Sequence, residues 1–485
     1  MAEGRHAQYL VAAAVSLAAI VAGFTLAWST PVIPKFHNNE TGINITDEEI
    51  SWVASLSSPG FMTGSLVTRF ISDGFGRRAV ILSSALPIVI GTVMVLSTAS
   101  AWCLYITRLL WGTGTGMIVT VSAMYLAEVS DKEIRGKLTS SVRYMQNFGG
   151  FIIMSVGPFI SYHAISYVLL VLLICYFIAC CFIPESPYYL LKEGKVKGAR
   201  ASLARLSANK DENVIEDRLT SMMVDVKKET LSSGSIKELF TGKQYRKALI
   251  ICIGLKITQI MSGTIAIQHY IGRIVQETAT NVDISTVLII FGAVKFIVGI
   301  FSSAIVDKVG RRPLLIFSYL SSGITLIVVG AYFFIQPTSS SYYSYIPFVG
   351  IIFTNMLSIL GYETLVFVII AEIFPLNVKS VALTVQNILG GFLNFFAVKE
   401  YQKMKDVAGL AGVFWFYASA SIIGAIFSYF MVPETKGKSL REIQVELQGA
   451  LYDESGEKLK TVVVDADPEL PDLNELKPEL SSNGR

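Results

Sequence analysis

Three stretches of this chain, residues 79–107, 144–184 and 313–362, contain no Asp, Glu, Lys or Arg. Each is long enough for one or two membrane crossings of roughly 20 residues, which makes lipid the main solvent. Soluble domains carry about a quarter of their residues charged, whereas this chain carries 16%. Inside hydrocarbon every backbone N–H and C=O must be satisfied by the chain itself, so open strands are excluded and the fold class is an all-α membrane protein. A net charge of +3 is too small to point to nucleic acid, and the basic residues are better assigned to membrane orientation.

Apolar runs set against turn and charge breaks predict twelve spans near 8–29, 52–71, 79–98, 102–125, 138–160, 164–183, 247–271, 284–306, 314–335, 345–370, 381–401 and 410–431. The first run follows a short polar start without a small-residue cleavage site, so it reads as a span and not as a removed signal peptide. Four segments result: an N-terminal six-helix half over 1–183, a charged helical linker over 184–246, a C-terminal six-helix half over 247–432, and a polar tail over 433–485, largely disordered. If the spans alternate, Arg77, Arg78, Lys132, Arg135, Lys137, the linker and Lys308, Arg311 and Arg312 fall on one side. The positive-inside rule makes that side cytoplasmic, together with both termini, in a multi-pass protein of the cell membrane. The sequons Asn39-Glu40-Thr41 and Asn44-Ile45-Thr46 then fall in the first external loop, where Asn39 and Asn44 are glycosylation candidates.

An internal repeat divides the chain. Asp73-Gly74-Phe75-Gly76-Arg77-Arg78 after span two returns as Asp307-Lys308-Val309-Gly310-Arg311-Arg312 after span eight. Glu128 and Arg135 return as Glu372 and Lys379, and Pro184-Glu185-Ser186 returns as Pro433-Glu434-Thr435. Three motif pairs in the same order imply parallel, pseudo-symmetric halves with a solute site between them near mid-depth. Arginine forks at helix ends can bridge carboxylates and backbone carbonyls, so these residues are candidates for a latch that closes the cytoplasmic side.

These motifs, with Arg108 before Gly112-Thr113-Gly114-Thr115-Gly116, Pro184-Glu185-Ser186-Pro187, Glu372-Ile373-Phe374-Pro375 and Val432-Pro433-Glu434-Thr435-Lys436-Gly437-Lys438, resemble the sugar porter family of the major facilitator superfamily. Within it the chain is most similar to the insect facilitated trehalose and hexose transporters. The resemblance implies the major facilitator fold and rocker-switch alternating access. Departures cluster where specificity should lie. The family pattern Q-Q-L-S-G-I-N becomes Gln259-Ile260-Met261-Ser262-Gly263-Thr264-Ile265, and the G-P-x-P-W hinge falls on Glu363-Thr364-Leu365-Val366-Phe367. The usual Asn-Trp pair of span eleven falls on Gly390-Gly391. At the cytoplasmic side Gly74, Tyr188 and Lys379-Ser380 replace more basic family residues, which should weaken the latch.

A charge at the bilayer centre costs roughly 2.5–3.5 kcal/mol on insertion scales, so each needs a partner or a wet cavity. Arg69 and Arg108 lie near span ends and can snorkel or pair, but Lys295 lies deep. Arg143, Gln146, Asn147 and Gly150 share one helical face, as do Lys256, Gln259 and Gly263, and Asn387, Gly390, Gly391 and Asn394. By resemblance Arg143 and Lys295 occupy slots where sugar porters place a Gln and an Asn, His269 takes an aromatic slot and Tyr270 keeps one. The candidate solute-binding set is therefore Arg143, Gln146, Asn147, Lys256, Gln259, His269, Tyr270, Lys295, Glu363 and Asn394. Two readings stay open: neutral hydroxyls bound by the amides while Glu363 pairs with one Lys, or an anionic solute. Proton-driven relatives place an Asp after the Gly-aromatic pair of span one, where Gly23-Phe24 is followed by Thr25, so facilitated transport is expected. A nontransporting solute sensor is a further alternative, given the lost hinge prolines and the altered binding residues. No catalytic or metal-ligand motif is found, and the five cysteines lie in apolar segments or at a short loop. No enzyme activity, cofactor or metal is expected, and the working unit is expected to be a monomer in the lipid bilayer with a small-molecule solute, a sugar, as its partner.

Overall fold

The computed structural model describes residues 6–97, 100–131, 133–207, 212–231, 236–278, 283–335, 345–438 and 440–448. Six helical rods come first: α1 (His6–Ala27) continued by α2 (Ser29–His37), α3 (Asp47–Ser55) by α4 (Ser57–Phe75), α5 (Arg77–Ser83) by α6 (Ala85–Ser97), then α7 (Ala101–Val129), α8 (Arg135–Val156) and α9 (Tyr162–Cys181). The linker forms α10 (Pro187–Lys192), α11 (Val196–Leu206), α12 (Glu212–Leu231) and α13 (Ile236–Thr241). Six further rods follow: α14 (Arg246–Met261) continued by α15 (Thr264–Gln276), α16 (Ile284–Val309), α17 (Arg311–Ile335), α18 (Ile346–Leu360) continued by α19 (Tyr362–Ile373), α20 (Leu376–Lys399) and α21 (Tyr401–Met431). A short helix, α22 (Leu440–Gln448), occupies the start of the tail, and the disorder expected for the rest falls on 449–485, outside the described residues.

Among the described residues ten stretches are long and apolar enough to cross a membrane. The other two rods complete the twelve and carry the polar residues that lower their hydropathy: Asp47, Glu48 and Glu49 in α3, and Arg143, Gln146 and Asn147 in α8. The outward surface is apolar, with Phe70, Leu86, Val171, Ile178, Phe301, Phe317 and Ile423 all exposed. Water would not tolerate such a surface, and a bilayer would. The chain is a multi-pass membrane protein.

Several rods expected to be continuous are interrupted. α14 gives way to α15 at Gly263, whose φ of +80° favours glycine and whose Cβ, were there one, would lie 2.2 Å from the Tyr417 ring. α18 gives way to α19 at Gly361, in a conformation of φ −114° and ψ −110°. The family hinge expected over Glu363–Phe367 has lost its prolines, yet the helix still breaks two residues earlier. Helix packing within the first half rests on glycine. A Cβ on Gly64 would lie 2.0 Å from the Thr113 carbonyl oxygen, and one on Gly116 would lie 2.3 Å from that of Phe61, so α4 and α7 touch backbone to backbone. Gly23 and Gly149 play the same part between α1 and α8, against Gln146 and Ile20.

The first six rods pack chiefly on one another, as do the last six, and the two groups meet along α8–α16 and α4–α20 and, at one end, along α2–α15 and α3–α20. That end is called the loop face, because it bears the 38–46 loop, and the opposite end is called the linker face. Gly64→Leu should force α4 and α7 apart and destabilise the protein by about 2 kcal/mol or more. A thermal-stability scan of the detergent-solubilised chain should show the drop, and an unchanged midpoint would mean that the contact is not close.

Candidate solute site between the halves

At the linker face the repeated motifs build the same device twice. Gly76 and Gly310 take φ of +94° and +108°, which turns the chain so that the next helix presents its first N–H groups to a carboxylate. Glu185 accepts from the Arg77 and Arg78 N–H groups at 2.9 and 3.2 Å, and Glu434 accepts from those of Arg311 and Arg312 at 3.1 Å each. The Arg77 guanidinium grips Glu128 through two nitrogens at 3.0–3.1 Å, and Arg311 reaches Glu372 at 3.2 Å. Arg78 and Arg312 donate to the Cys181 and Tyr429 carbonyls, both at 2.5 Å. Burial pushes the Glu434 carboxyl up, but backbone donors from Lys436, Arg311, Arg312 and Thr435 outweigh it and hold the group below its ordinary value.

Among the described residues, these arginine–carboxylate contacts tie helices together within each half. Asp73 stands apart, paired with Lys192 at 3.0 Å. The Asp307 side chain lies outside the described residues, Arg135 is exposed at the start of α8, and Lys379 is half-buried near the start of α20. Arg108 does not snorkel: it is fully buried, donates to the Val53 and Thr25 carbonyls at 2.9 Å each, and lies over the Trp28 ring.

At mid-depth a small cleft of about 50 Å³ separates the halves, lined on one side by Gln146, Asn147 and Gly150 of α8 and on the other by Gln268 of α15 and Lys295 of α16. Lys295 donates to the Gln268 side chain at 2.5 Å and lies 3.9 Å from the Glu363 carboxylate. The Glu363 carbonyl oxygen accepts from Arg143 at 3.2 Å across the seam and from Gln259 at 3.4 Å. Lys256 donates to Gln259 at 3.0 Å. Arg143 and Lys256 both stand over the Phe367 ring, 5.3 and 4.8 Å from its centroid. Seven of the expected residues thus converge: Arg143, Gln146, Asn147, Lys256, Gln259, Lys295 and Glu363.

Three do not. His269 is buried and hydrogen-bonds with Ser29 at 2.5 Å, and Tyr270 stacks on Tyr401 and donates to the Val398 carbonyl. Both belong to helix packing nearer the loop face, because their register on α15 turns them away from the cleft that Gln268 reaches. Asn394 is half-buried on α20, with its Oδ1 unpaired among the described residues. Gln268 and Phe367 were not singled out from the sequence. Gln268 adjoins His269 in the same polar pair, and Phe367 is indistinguishable from a packing aromatic until the cations are seen on its face.

The halves are pinned at the loop face. Arg273 of α15 donates to both Asp47 oxygens at 3.1 and 3.2 Å and to His37 at 2.7 Å. Thr30 donates to the Gln268 carbonyl at 2.9 Å. Lys399 donates to Ser51 at 2.8 Å and stands over the Trp52 ring. Gly272 lets α15 approach α2, since a Cβ there would lie 2.5 Å from Pro34.

The sequence profile of the family described as "Sugar (and other) transporter" matches residues 11–447. The facilitated trehalose transporter Tret1 of Bombyx mori is 26% identical over 442 residues, 91% of this chain and 86% of that protein. Its Polypedilum vanderplanki counterpart is 26% identical over 449 residues, 92% and 88%. Among solved structures, the inward-open xylose transporter XylE from E. coli superposes with a TM-score of 0.74 at 21% identity, covering 90% of this chain and 99% of that one. A partially occluded form superposes at 0.72 and 20%, covering 89% and 99%. At such identities the likeness is one of fold.

Arg273→Gln should loosen the loop-face seam. In a variant without the native cysteines, a cysteine placed at Gln146 should react roughly tenfold faster with a membrane-impermeant thiol reagent added from the loop face, the scale expected for losing charge-assisted bonds. Equal rates would show that the network does not hold the halves.

Proposed function

The chain belongs to the sugar transporter family, and from that premise we propose that it carries a sugar or related small polar solute, with trehalose or a hexose favoured, by facilitated alternating access. The observation that carries this reading is the polar wall of Gln146, Asn147 and Gln268 at mid-depth, with Gln259 bonded to the Glu363 carbonyl beside it. Amide side chains both donate and accept, as hydroxyls do, and so match a polyhydroxylated solute. The wall lies between halves that are each stiffened by ion pairs of their own and pinned together at the loop face. Releasing that seam while closing the linker side would expose the same wall to the opposite compartment.

Downhill transport is supported at the position after Gly23-Phe24. Thr25 bonds the Thr115 hydroxyl at 2.8 Å, and the Arg108 guanidinium beside it is held by carbonyls, not by a carboxylate that could shuttle a proton. One of the two grounds for the sensor alternative weakens, because the break at Gly361 supplies the interruption that the missing prolines would have made. The linker face is cytoplasmic in this reading, both termini lie there, and the exposed Asn39 and Asn44 face the outside of a cell-membrane carrier that works as a monomer.

Purified carrier in proteoliposomes should equilibrate labelled trehalose or glucose saturably, with a protonophore leaving the final level unchanged. Concentrative uptake that a protonophore abolishes would overturn the facilitative reading. In cells, a glycosidase should raise the electrophoretic mobility of the wild type and leave that of Asn39→Gln/Asn44→Gln unaltered. A wild type indifferent to glycosidase would remove the sequon support for this orientation.

A further inference from the structure

Three cations and one carboxylate cluster beside the central cleft, and Lys295 is the one that lines it. Arg143 lies eight residues into α8, Lys256 ten into α14 and Lys295 eleven into α16, about 12, 15 and 16 Å from those helix ends at 1.5 Å per residue. Glu363 faces Lys295. Among the described residues the hydrogen bonds and ring contacts of Arg143 and Lys256 go to neutral groups, a main-chain carbonyl, an amide oxygen and the face of Phe367, while the Glu363 carboxylate acts on both electrostatically. One carboxylate among three cations leaves positive charge in excess at this depth, and its cost falls when an anion enters.

The hydrogen-bond chemistry agrees with the charge. Ammonium and guanidinium groups donate and cannot accept, so they suit an acceptor-rich carboxylate better than a hydroxyl, which must place a proton as well. The site is also built to hold its lysine. A Cβ on Gly390 would lie 2.3 Å from Lys256 Cε, so a bare backbone on α20 makes room for the extended side chain. Arg143 is exposed where it reaches across the seam, open to an incoming solute, while Lys256 is buried behind the ring they share.

We propose that the site also takes a hydroxylated carboxylate of the sugar-acid class, its carboxylate received by Arg143 and Lys256 at the Phe367 face and its hydroxyls by Gln146, Asn147 and Gln268. This inference rests on the carrier reading and extends the substrate class of the same site. Glu363 offsets one of the three positive charges, and the two in excess supply the attraction.

The test is uptake of labelled glucuronate and gluconate against glucose and trehalose by the full chain in proteoliposomes, with a potential of either sign set by potassium and valinomycin. The acids should be taken up saturably, should compete with the neutral sugars and should follow the sign of the potential. Arg143→Gln should cut acid uptake at least tenfold and lower the ratio of acid to neutral uptake, Arg143→Lys should restore part of that ratio, and Lys256→Met should act in the same direction. Neutral-sugar flux that a tenfold excess of acid fails to inhibit would overturn the anion inference and leave the carrier reading standing. If nothing is transported, thermal stabilisation of the solubilised protein by the acids alone would support the inference while removing the carrier reading. Stabilisation by neutral sugars alone, or by neither class, would overturn the inference.

Discussion

Hydrocarbon offers no hydrogen bonds, so each span must satisfy its own backbone, and helices are what remains. Everything specific in this molecule is then delivered from helix faces or from the few places where a helix stops. Glycine decides where helices come close, as at Gly64 against Thr113 and Gly23 against Gln146, and the interruptions at Gly263 and Gly361 fall on rods that border the cleft. Close packing around it lets a handful of polar side chains act together inside an apolar shell.

The two faces of the bundle are held differently. At the linker face, each turn glycine, its following arginines and two carboxylates form a knot inside one half. At the loop face, Arg273, Asp47 and Lys399 join one half to the other. Halves braced in this way concentrate any rearrangement in the seam between them, where the polar residues of the cleft lie. In this structure the linker-face pairs brace each half.

The fold was legible because its cues are long and repeated: uncharged runs, and three motif pairs in the same order. The interior stripe Arg143, Gln146, Asn147 and Gly150 was legible too, since a helix that carries polar groups at that spacing must turn them away from lipid. What pattern alone does not determine is where a side chain goes after leaving its helix. Arg108, placed near a span end in the sequence, folds inward onto carbonyls, and His269 and Tyr270 are spent on packing although their neighbour Gln268 reaches the cleft. Gln268 is also where local reading failed, because its partner, Lys295, lies on another helix.

The crowding of Lys256 against Gly390 also bears on how such a site can change over generations. A side chain at position 390 would have to displace the end of that lysine, which can swing aside, so the cost of filling 390 is what the ammonium would give up, its amide partner and the face of Phe367. The two positions are therefore coupled through the charge and not through volume, and the order in which a lineage changes them decides whether the charge leaves the cluster before or after the pocket narrows.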